Sequence, residues 1–444
     1  MPMLSDKSPI TFNDSLPEKV DVVIIGAGVI GISTAWFLVK AGLSVLVCEK
    51  GRVAGEQSSR NWGWVRKQGR DEAEVPIAKK SQEIWEGLAE ETGEDLGFKR
   101  CGLIYLANNE SDQQDFENWM EVARRHELDT KLISAAELGE RLGYDSHPWK
   151  GGMYTASDAK AEPFVAVPGI ARAAQRLGAR IVENCAVRTL ETEAGQVSGV
   201  VTELGSVKAS MVMCSGGAWS SAFLGNLGVR FPQLLVKGTV VRTDERPEAY
   251  MGGAGSHKFS FRRRQDGGYT LSKGNYLDHY VSADSFRFCL DFLPALKVTW
   301  SGLRLRFGDG LMERLFPKRN WQGDEITPFE MTRVLNPEPN PDVIKKIENY
   351  MAENHPVLEN AGIVEAWAGM IDAPPDFVPV MDEVPGYRNF FLATGFSGHG
   401  FGIGPGAGYV MAKMLQGQEI EFDLSRFRFS RFSDGSPVNV GPAL

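Results

Sequence analysis

The chain has 444 residues, which is more than one hydrophobic core usually organises, so at least two domains are expected. Hydrophobic residues make up 43% and charged residues 24% of the chain, a composition that is typical of globular proteins and excludes a disordered one. The formal net charge of −9 argues against a nucleic-acid partner, because binding to phosphates requires a basic surface.

The first predicted elements carry the strongest signal. In residues 20–31, VDVVIIGAGVIG, an apolar strand runs directly into a glycine-rich turn and then into a helical pattern. The three glycines of the turn would permit a tight bend, close approach of a pyrophosphate and close packing of helix on strand. A second apolar strand, residues 43–48, ends at Glu49, whose carboxylate can accept hydrogen bonds from an adenosine ribose. The segment predicts a bound adenine dinucleotide, FAD or NAD, with a structural unit lacking nucleotide as the alternative.

The next two hundred residues alternate helices and strands. A loop rich in glycine, serine and arginine at 51–71 precedes a helix that begins at Pro76. Further helices are predicted at 110–126, 134–142 and 162–177, and strands at 101–107, 151–154, 179–187, 197–202 and 207–214. Residues 215–219, SGGAW, form a second glycine-rich turn from strand to helix. This return of strands suits a nucleotide-binding domain whose segments are interleaved with another domain.

The character of the chain changes after Phe231. Strands are predicted at 234–242 and 269–273, and an amphipathic segment follows at 283–315. The chain then closes with a strand at 389–393, a glycine-rich loop at 395–404 and a helix at 405–416 that is capped by Gly417. We therefore expect a discontinuous nucleotide-binding domain (17–100, 151–230 and 362–425), a substrate-binding domain (101–150 and 231–361) and two tails (1–16 and 426–444).

Cysteine usage and the N-terminus predict the compartment. The five cysteines (Cys48, Cys101, Cys185, Cys214 and Cys289) form no CxxC pair, so neither a zinc site nor a disulfide framework is suggested. The first twenty residues do not resemble a signal peptide, and no apolar run reaches about 18 residues. We expect a cytoplasmic protein.

Several sequence motifs follow one another in a characteristic order along the chain. They are VIIGAGVIG, PIAKKSQEIWEGLAEETG before CGLIYL, GGMY followed by Asp and EP, CSGGAWS, WAGM followed by PPDFVPV, and ATGFSGHGFG. On these motifs nearly the whole chain resembles the FAD-dependent D-amino-acid-oxidase-like superfamily, which includes amino-acid dehydrogenases, glycine oxidase and sarcosine oxidase. The resemblance implies an α/β fold, α+β overall, in which a Rossmann-type FAD-binding domain is interleaved with an antiparallel-sheet substrate domain.

The resemblance also implies which residues bind FAD. The glycine turn would hold the pyrophosphate, Glu49 the ribose, and the loop at 398–402 the flavin pyrimidine ring. At that loop the following helix N-terminus would face the negative charge of reduced flavin. The implied cofactor-binding residues are Gly26, Gly28, Val29, Gly31, Glu49, Lys50, Ser58, Ser59, Arg60, Asn61, Trp62, Val187, Gly216, Trp219, Gly398, His399, Gly400, Phe401 and Gly402.

The sequence departs from the family pattern near two functional positions. Trp367 stands close to the position of a cysteine that attaches FAD covalently in some relatives, and the early loop has no histidine, so non-covalent FAD is expected. Ile371 replaces an arginine that binds the substrate carboxylate in many D-amino-acid enzymes. Arg66 and Arg70 are the candidate replacements, because a guanidinium can bind a carboxylate through two hydrogen bonds. Ion pairs within the loop are the alternative for both.

Two further residues are candidates for catalysis. Lys273 falls near the position where sarcosine-oxidase relatives place a lysine that assists oxygen beside the flavin, which favours O2 as the electron acceptor. An ordinary strand lysine is the alternative. His399, in the flavin-facing loop, is either a catalytic residue or a hydrogen-bonded residue of the core.

The resemblance implies oxidation of a carbon that bears an amine. Hydride would pass from Cα to flavin N5, and water would hydrolyse the resulting imine to a 2-oxo acid and ammonia or an amine. Trp62, Trp64 and Trp367 are candidates for an apolar wall of the substrate site, with core packing as the alternative for each. A secondary-amine (sarcosine-type) oxidase or demethylase, a 2-hydroxy-acid dehydrogenase and, more remotely, a non-catalytic flavin-binding subunit are the competing functions.

The electron acceptor is either O2 or another molecule. Residues 285–300, SFRFCLDFLPALKVTW, are aromatic and aliphatic enough to contact a membrane surface that supplies a quinone. Packing against the body of the protein or against a second copy in a homodimer is the more common role of such a segment.

Overall fold

The computed structural model describes residues 3–143, 149–308, 311–315, 317–354 and 356–442. Its strands are β1 (Lys19–Ile25), β2 (Val45–Cys48), β3 (Trp64–Val65), β4 (Lys99–Arg100), β5 (Leu103–Ala107), β6 (Thr130–Ser134), β7 (Gly151–Thr155), β8 (Ala159–Lys160), β9 (Arg180–Val182), β10 (Val187–Glu193), β11 (Gln196–Thr202), β12 (Gly205–Cys214), β13 (Leu234–Thr243), β14 (Gly253–Gly255), β15 (Ser260–Arg263), β16 (Tyr269–Ser272), β17 (Leu277–Tyr280), β18 (Leu303–Arg306), β19 (Ile363–Ala373), β20 (Val380–Glu383) and β21 (Phe390–Thr394). Its helices are α1 (Val29–Lys40), α2 (Gln57–Arg60), α3 (Val75–Thr92), α4 (Glu110–Arg125), α5 (Ala135–Leu142), α6 (Pro163–Arg176), α7 (Ser220–Asn226), α8 (Ala283–Arg287), α9 (Leu293–Thr299), α10 (Leu311–Leu315), α11 (Pro328–Met331), α12 (Pro341–Asn354) and α13 (Gly400–Leu415).

The first sheet has a parallel centre. β1 lies between β12 and β2, β9 follows β2, and β21 pairs with the C-terminal half of β12, all of them parallel. The antiparallel strands β10 and β11 extend the sheet beyond the N-terminal half of β12. Val22, Val23 and Ile24 of β1 are completely buried, because helices and loops cover both faces of a parallel sheet. This burial explains the unbroken apolar run in the sequence.

Glycines allow helix α13 to pack directly on α1. A Cβ atom at Gly404 would lie 2.5 Å from Val29 Cγ2, and one at Gly408 would lie 2.5 Å from Ser33 Cβ. The i, i+4 spacing of these two glycines places both on the same face of α13. The two helices therefore approach closely, and their N-termini lie side by side next to the glycine turn.

The second sheet has the order β18-β17-β13-β16-β15-β14-β5-β7-β6, with β19 paired along the other edge of β13. It differs from the sequence-based division of the chain at two strands. β7 and β19 fall in segments assigned above to the nucleotide-binding domain, but both pair within this second sheet. Burial is similar for strands of either sheet, so the composition of these two strands does not reveal their partners. A small third sheet has the order β3-β8-β4, and β20 pairs antiparallel with β21 in the first sheet.

Three predicted elements differ in the structure. The strand expected at 179–187 is two strands, β9 and β10, because the chain turns at Asn184, whose φ is 51°. The C-terminal helix begins at Gly400, so residues 400–402 form its first turn and are not part of a loop. The amphipathic segment at 283–315 contains α8, α9, β18 and α10, while residues 309 and 310 lie outside the described residues. Within the described ranges, no helix is both long and apolar enough to cross a membrane.

Candidate cofactor and substrate site

A cleft of about 1210 Å³ opens at the carboxyl ends of β1, β2 and β12. This volume includes space that is open to solvent. This edge of a parallel sheet is where α/β folds bind ligands. The following residues predicted to bind the cofactor line the cleft: Gly26, Gly28, Val29, Glu49, Lys50, Ser58, Asn61, Val187, Gly216, Trp219, Gly398, Gly400 and Phe401.

The glycine turn leaves no room for larger side chains. Gly26 has φ 98°, and a Cβ atom there would lie 2.7 Å from the carbonyl oxygen of Ser215. A Cβ at Gly31 would lie 2.1 Å from the carbonyl oxygen of Gly26, so this glycine serves helix packing and does not line the cleft. Gly28 precedes α1, and Ser58 Oγ accepts a hydrogen bond from Val29 N at 2.9 Å. The backbone thus forms an open cradle at a helix N-terminus.

Glu49 is held rigidly at the end of β2. Its Oε2 accepts a hydrogen bond from Ala27 N and its Oε1 one from Gly51 N, each at 2.8 Å. Burial raises the pKa of Glu49 above its ordinary value, and the charge of Lys50 and the two backbone hydrogen bonds oppose this shift. The carboxylate is therefore a fixed acceptor in the wall of the cleft.

Glu56 is a cleft residue that the sequence did not reveal. Its Oε1 accepts hydrogen bonds from Lys50 Nζ at 2.6 Å, from Trp219 Nε1 at 3.0 Å and from Leu335 N at 3.0 Å. The Lys50 ammonium also lies 4.4 Å from the centre of the Trp219 ring. No motif marks Glu56, because two of its partners, Trp219 and Leu335, come from distant parts of the chain.

The other end of the cleft contains Asp372 and the start of α13. Asp372 Oδ2 accepts hydrogen bonds from Gly395 N at 2.8 Å, Gln233 Nε2 at 3.2 Å and Thr394 Oγ1 at 3.3 Å. Burial raises the pKa of Asp372 to about 6. Asp372 belongs to the motif WAGMIDAPPD, which was the available signal, although sequence analysis did not select it. Gly398, with φ 77°, turns the chain into α13.

His399 does not line the cleft. Its ring Nε2 lies 3.0 Å from Glu74 Oε1, and its carbonyl oxygen accepts a hydrogen bond from Arg70 Nη2 at 3.1 Å. Burial lowers the pKa of His399, and the Glu74 carboxylate opposes that shift. The His399 side chain therefore lies in a buried polar cluster behind the start of α13, and not among the residues that line the cleft, where a flavin contact was expected.

The two candidate arginines lie beside the same helix turn. A Cβ at Gly402 would lie 3.4 Å from Arg66 N, so the loop packs on the first turn of α13. Arg66 is partly exposed, donates a hydrogen bond to Gln68 O and lies 5.6 Å from the centre of the Tyr105 ring. Arg70 is only 2% exposed, and burial lowers its pKa to about 10. Neither Arg66 nor Arg70 lines the cleft.

Three predicted residues of the loop and β19 are packing residues. Arg60 is 2% exposed and donates hydrogen bonds to Asn336 Oδ1 at 2.6 Å and Ala368 O at 2.8 Å. Trp367 is buried and donates through Nε1 to Arg60 O at 3.0 Å. Ser59 Oγ donates to Glu56 O at 3.3 Å. The short helix α2 turns Ser59 and Arg60 away from the cleft, and Trp367 of β19 does not line it either.

The remaining predicted residues also lie outside the cleft lining. Trp62 and Trp64 contact each other edge to face at 5.2 Å, and Gly402 accepts hydrogen bonds at its carbonyl from the core. Lys273 follows the end of β16, and its Nζ donates to His257 O at 3.3 Å and Gly274 O at 2.9 Å. Because neither carbonyl belongs to the cleft, the predicted role of Lys273 beside the flavin is not supported by its position.

Comparison with known proteins decides which dinucleotide the cleft suits. The model of a family described as "FAD dependent oxidoreductase" matches residues 21–414. The chain belongs to this family. FAD, not NAD, is therefore its cofactor, and the predicted fold class is confirmed.

Individual members of the family resemble the chain over almost its full length. The structure of L-amino acid deaminase from Proteus myxofaciens in complex with anthranilate has a TM-score of 0.92 and 30% identity, with 98% of both chains covered. Mitochondrial sarcosine dehydrogenase from Mus musculus is 26% identical over 429 residues, 94% of this chain. This chain spans only 42% of that protein's length. Glycine oxidase from Bacillus subtilis is 24% identical over 430 residues, 94% of this chain and 98% of the oxidase.

The residues of the cleft fit the family's cofactor. A Cβ atom at Gly26 would overlap Ser215, and one at Gly28 would lie 3.0 Å from Ser58 Oγ, so the turn suits contact between unsubstituted backbone and a pyrophosphate. Glu49 offers a fixed carboxylate to ribose hydroxyls, and α13 presents its N-terminal N–H groups at the opposite end. The cleft thus has separate features for the two ends of FAD.

Proposed function

We propose that this family member oxidises the Cα–N bond of an L-amino acid, giving an imine that water hydrolyses to a 2-oxo acid and ammonia. The observation that supports this proposal best is the near-complete overlap with the L-amino acid deaminase of Proteus myxofaciens. In that role FAD supplies a two-electron acceptor for the hydride that leaves Cα. The chain's own residues orient the substrate and exclude water.

We infer the following arrangement of the cofactor. The backbone at Gly26 and Gly28 would hold the pyrophosphate, and Glu49 would accept hydrogen bonds from the ribose hydroxyls. Asp372 and the first turn of α13 would hold the flavin ring. The positive end of that helix dipole would stabilise negative charge there.

Arg66 is our candidate for binding the substrate carboxylate. It is partly exposed, makes no ion pair with a carboxylate in the described part of the chain, and adjoins the first turn of α13. Arg70 is buried, and its guanidinium donates to the carbonyls of Arg66 and His399. We therefore assign substrate binding to Arg66 and support of the loop to Arg70.

A substrate screen tests the reaction. The yellow holoprotein is mixed anaerobically with matched L- and D-amino acids, sarcosine and 2-hydroxy acids, while bleaching of the flavin is recorded. We expect bleaching by L-amino acids, with one 2-oxo acid and one ammonia released per flavin reduced. Bleaching by sarcosine with release of formaldehyde would instead favour the secondary-amine alternative. A flavin that no donor bleaches would contradict catalysis and favour a non-catalytic subunit.

We further infer that the reduced enzyme passes its electrons to an acceptor other than O2. Lys273, the only sequence signal for an oxidase, lies away from the cleft lining. In addition, the segment at 283–315 exposes large apolar side chains, among them Leu290 at 77% and Phe286 at 66%, instead of packing them against the body of the protein. Such a surface suits a membrane that carries a quinone, or a second copy of the chain.

Two measurements separate these roles. Dye reduction that greatly exceeds peroxide release would support a dehydrogenase, whereas stoichiometric peroxide would contradict it. Co-sedimentation with phospholipid vesicles indicates membrane contact, and a doubled mass in sedimentation equilibrium indicates a dimer.

A further inference from the structure

Residues 327–336, which we name the strap, cross the nucleotide end of the cleft. The strap begins with the short helix α11 and contributes Phe329 to the cleft lining. The Phe329 ring is 5% exposed and packs edge-on against Trp219 at 5.8 Å and Trp321 at 5.3 Å. The strap is thus a wall of the cleft that lies far in sequence from the glycine turn.

Two ion pairs fasten the strap to β10 and to the turn that follows β11 in the first sheet. Glu330 accepts hydrogen bonds from both Nε and Nη2 of Arg188, at 2.8 and 2.9 Å. Arg333 donates through Nη1 and Nη2 to the two carboxylate oxygens of Glu203, the latter at 2.7 Å. All four side chains are largely buried, with exposed fractions between 8% and 28%. Paired charges in such positions have defined geometry and hold the strap from outside the cleft.

Inside the cleft, Lys50 and Glu56 bind the strap by its backbone. Lys50 Nζ donates to the carbonyls of Thr332 at 2.8 Å and Arg333 at 2.9 Å. Glu56 Oε1 accepts from Leu335 N at 3.0 Å and from Lys50 Nζ. Since Lys50 and Glu56 both line the cleft, the same two side chains contact the strap and border the nucleotide.

Gly51 sets how closely the strap approaches. A Cβ atom at Gly51 would lie 2.0 Å from the carbonyl oxygen of Arg333 and 2.9 Å from Val334 Cγ2. Its φ is outside the left-handed region, so alanine would be unstrained in its own backbone. A single methyl group at this position would therefore push the strap outward.

From these contacts we propose that the strap is a lid over the adenosine half of FAD, latched by Glu56 and Lys50, and that it controls how fast FAD leaves. The proposal rests on the arrangement of FAD inferred above, with the ribose at Glu49. A non-covalent cofactor in this cleft can exchange only when the strap opens, because Phe329 lines the cleft and the backbone at 332–335 is held by Lys50 and Glu56, which line it as well. Opening breaks the backbone contacts of Lys50 and Glu56 together.

The experiment measures FAD release from the holoprotein. Gly51→Ala opens the lid from within. Arg333→Met removes the external ion pair with Glu203 and the hydrogen bond from Arg333 Nη1 to Lys50 O at 3.1 Å, without altering a cleft side chain. Gly87→Ala and Arg428→Met are the matched controls, since Gly87 has space for a methyl group in α3 and Arg428 pairs with Asp434 elsewhere. Each protein is diluted, and the rise of free-flavin fluorescence gives the dissociation rate constant.

Trypsin cleavage after Arg333 is followed in parallel in Gly51→Ala, with and without added FAD.

We expect FAD to leave both strap variants about tenfold faster, as the loss of a charged hydrogen bond implies, and to leave the controls at the wild-type rate. Added FAD should protect Arg333 from trypsin. Wild-type release rates in both strap variants would overturn the proposal, and Arg333→Met decides alone if Gly51→Ala does not fold. Glu49→Gln distinguishes the two levels of inference. If Glu49→Gln binds FAD with the affinity of the wild type, the arrangement of FAD is contradicted. If Glu49→Gln binds FAD more weakly while both strap variants release FAD at the wild-type rate, only the lid is contradicted.

Discussion

Replacing Arg66 tests the substrate site most directly. In the structure its guanidinium makes one hydrogen bond to a backbone carbonyl and one contact with the Tyr105 ring, and it is partly exposed. Truncation should therefore cost little stability. If the guanidinium binds the substrate carboxylate, however, the loss of that charged, two-point interaction should cost about 2–4 kcal/mol in the transition state. This corresponds to a decrease of about 30-fold to 900-fold in kcat/KM.

The assay is anaerobic stopped-flow reduction of the flavin over a range of substrate concentrations for Arg66→Ala and Arg66→Lys. The lysine variant should recover part of the loss, since it restores the charge but not the planar pair of donors. Arg125→Ala, which removes an exposed arginine that pairs with Glu72, is the matched control. A value of kcat/KM in Arg66→Ala within twofold of the wild type would refute the assignment.

Three further predictions concern packing, pH and the acceptor. Gly408→Val should lower the free energy of unfolding in urea by about 1–3 kcal/mol, because its Cβ would overlap α1. The control Gly87→Ala should not destabilise the protein. If Gly408→Val is as stable as the wild type, the close contact between the helices is contradicted. The lowered pKa of His399 means that, as the pH falls through about 6.5, the unfolded chain takes up a proton that the folded chain resists. Thermal stability should then decline with acidification, and His399→Gln should reduce the slope between pH 7 and 5.5; an unchanged slope would argue against the buried neutral ring. Lys273→Met should leave the rate of flavin reoxidation by O2 unchanged, and a tenfold decrease would return this lysine to the flavin.

The sequence predicted the nucleotide-binding half well where function depends on the backbone. The turn at Gly26 and Gly28 and the carboxylate at Glu49 lie in the cleft because consecutive local elements, strand, turn and helix, place them there. The same holds for Gly398 and Gly400 at the start of α13, even though the helix begins earlier than expected. In each case the chemistry lies within a few residues of the signal.

Side chains were predicted less well than backbone positions. His399 and Trp367 both stand in or beside cleft motifs, yet one pairs with Glu74 and the other donates to Arg60. A motif indicates that a segment reaches the site, but the rotation of each side chain depends on neighbours from distant segments. Lys273 illustrates a different difficulty, since a loosely matched strand position carried no information about the distance to the cleft.

By itself, the sequence determined the cofactor class, the glycine cradle and the alternation of strands and helices, because apolar periodicity and turn chemistry act over short stretches of chain. Only the tertiary structure decided which strands share a sheet, with β7 and β19 joining the second one, and which charges meet across the cleft. Glu56 and Leu335 lie 279 residues apart and become neighbours only when both sheets have formed. The physical reason is that pairing and burial are satisfied by any complementary partner, and the partner is chosen by the packing of the whole chain.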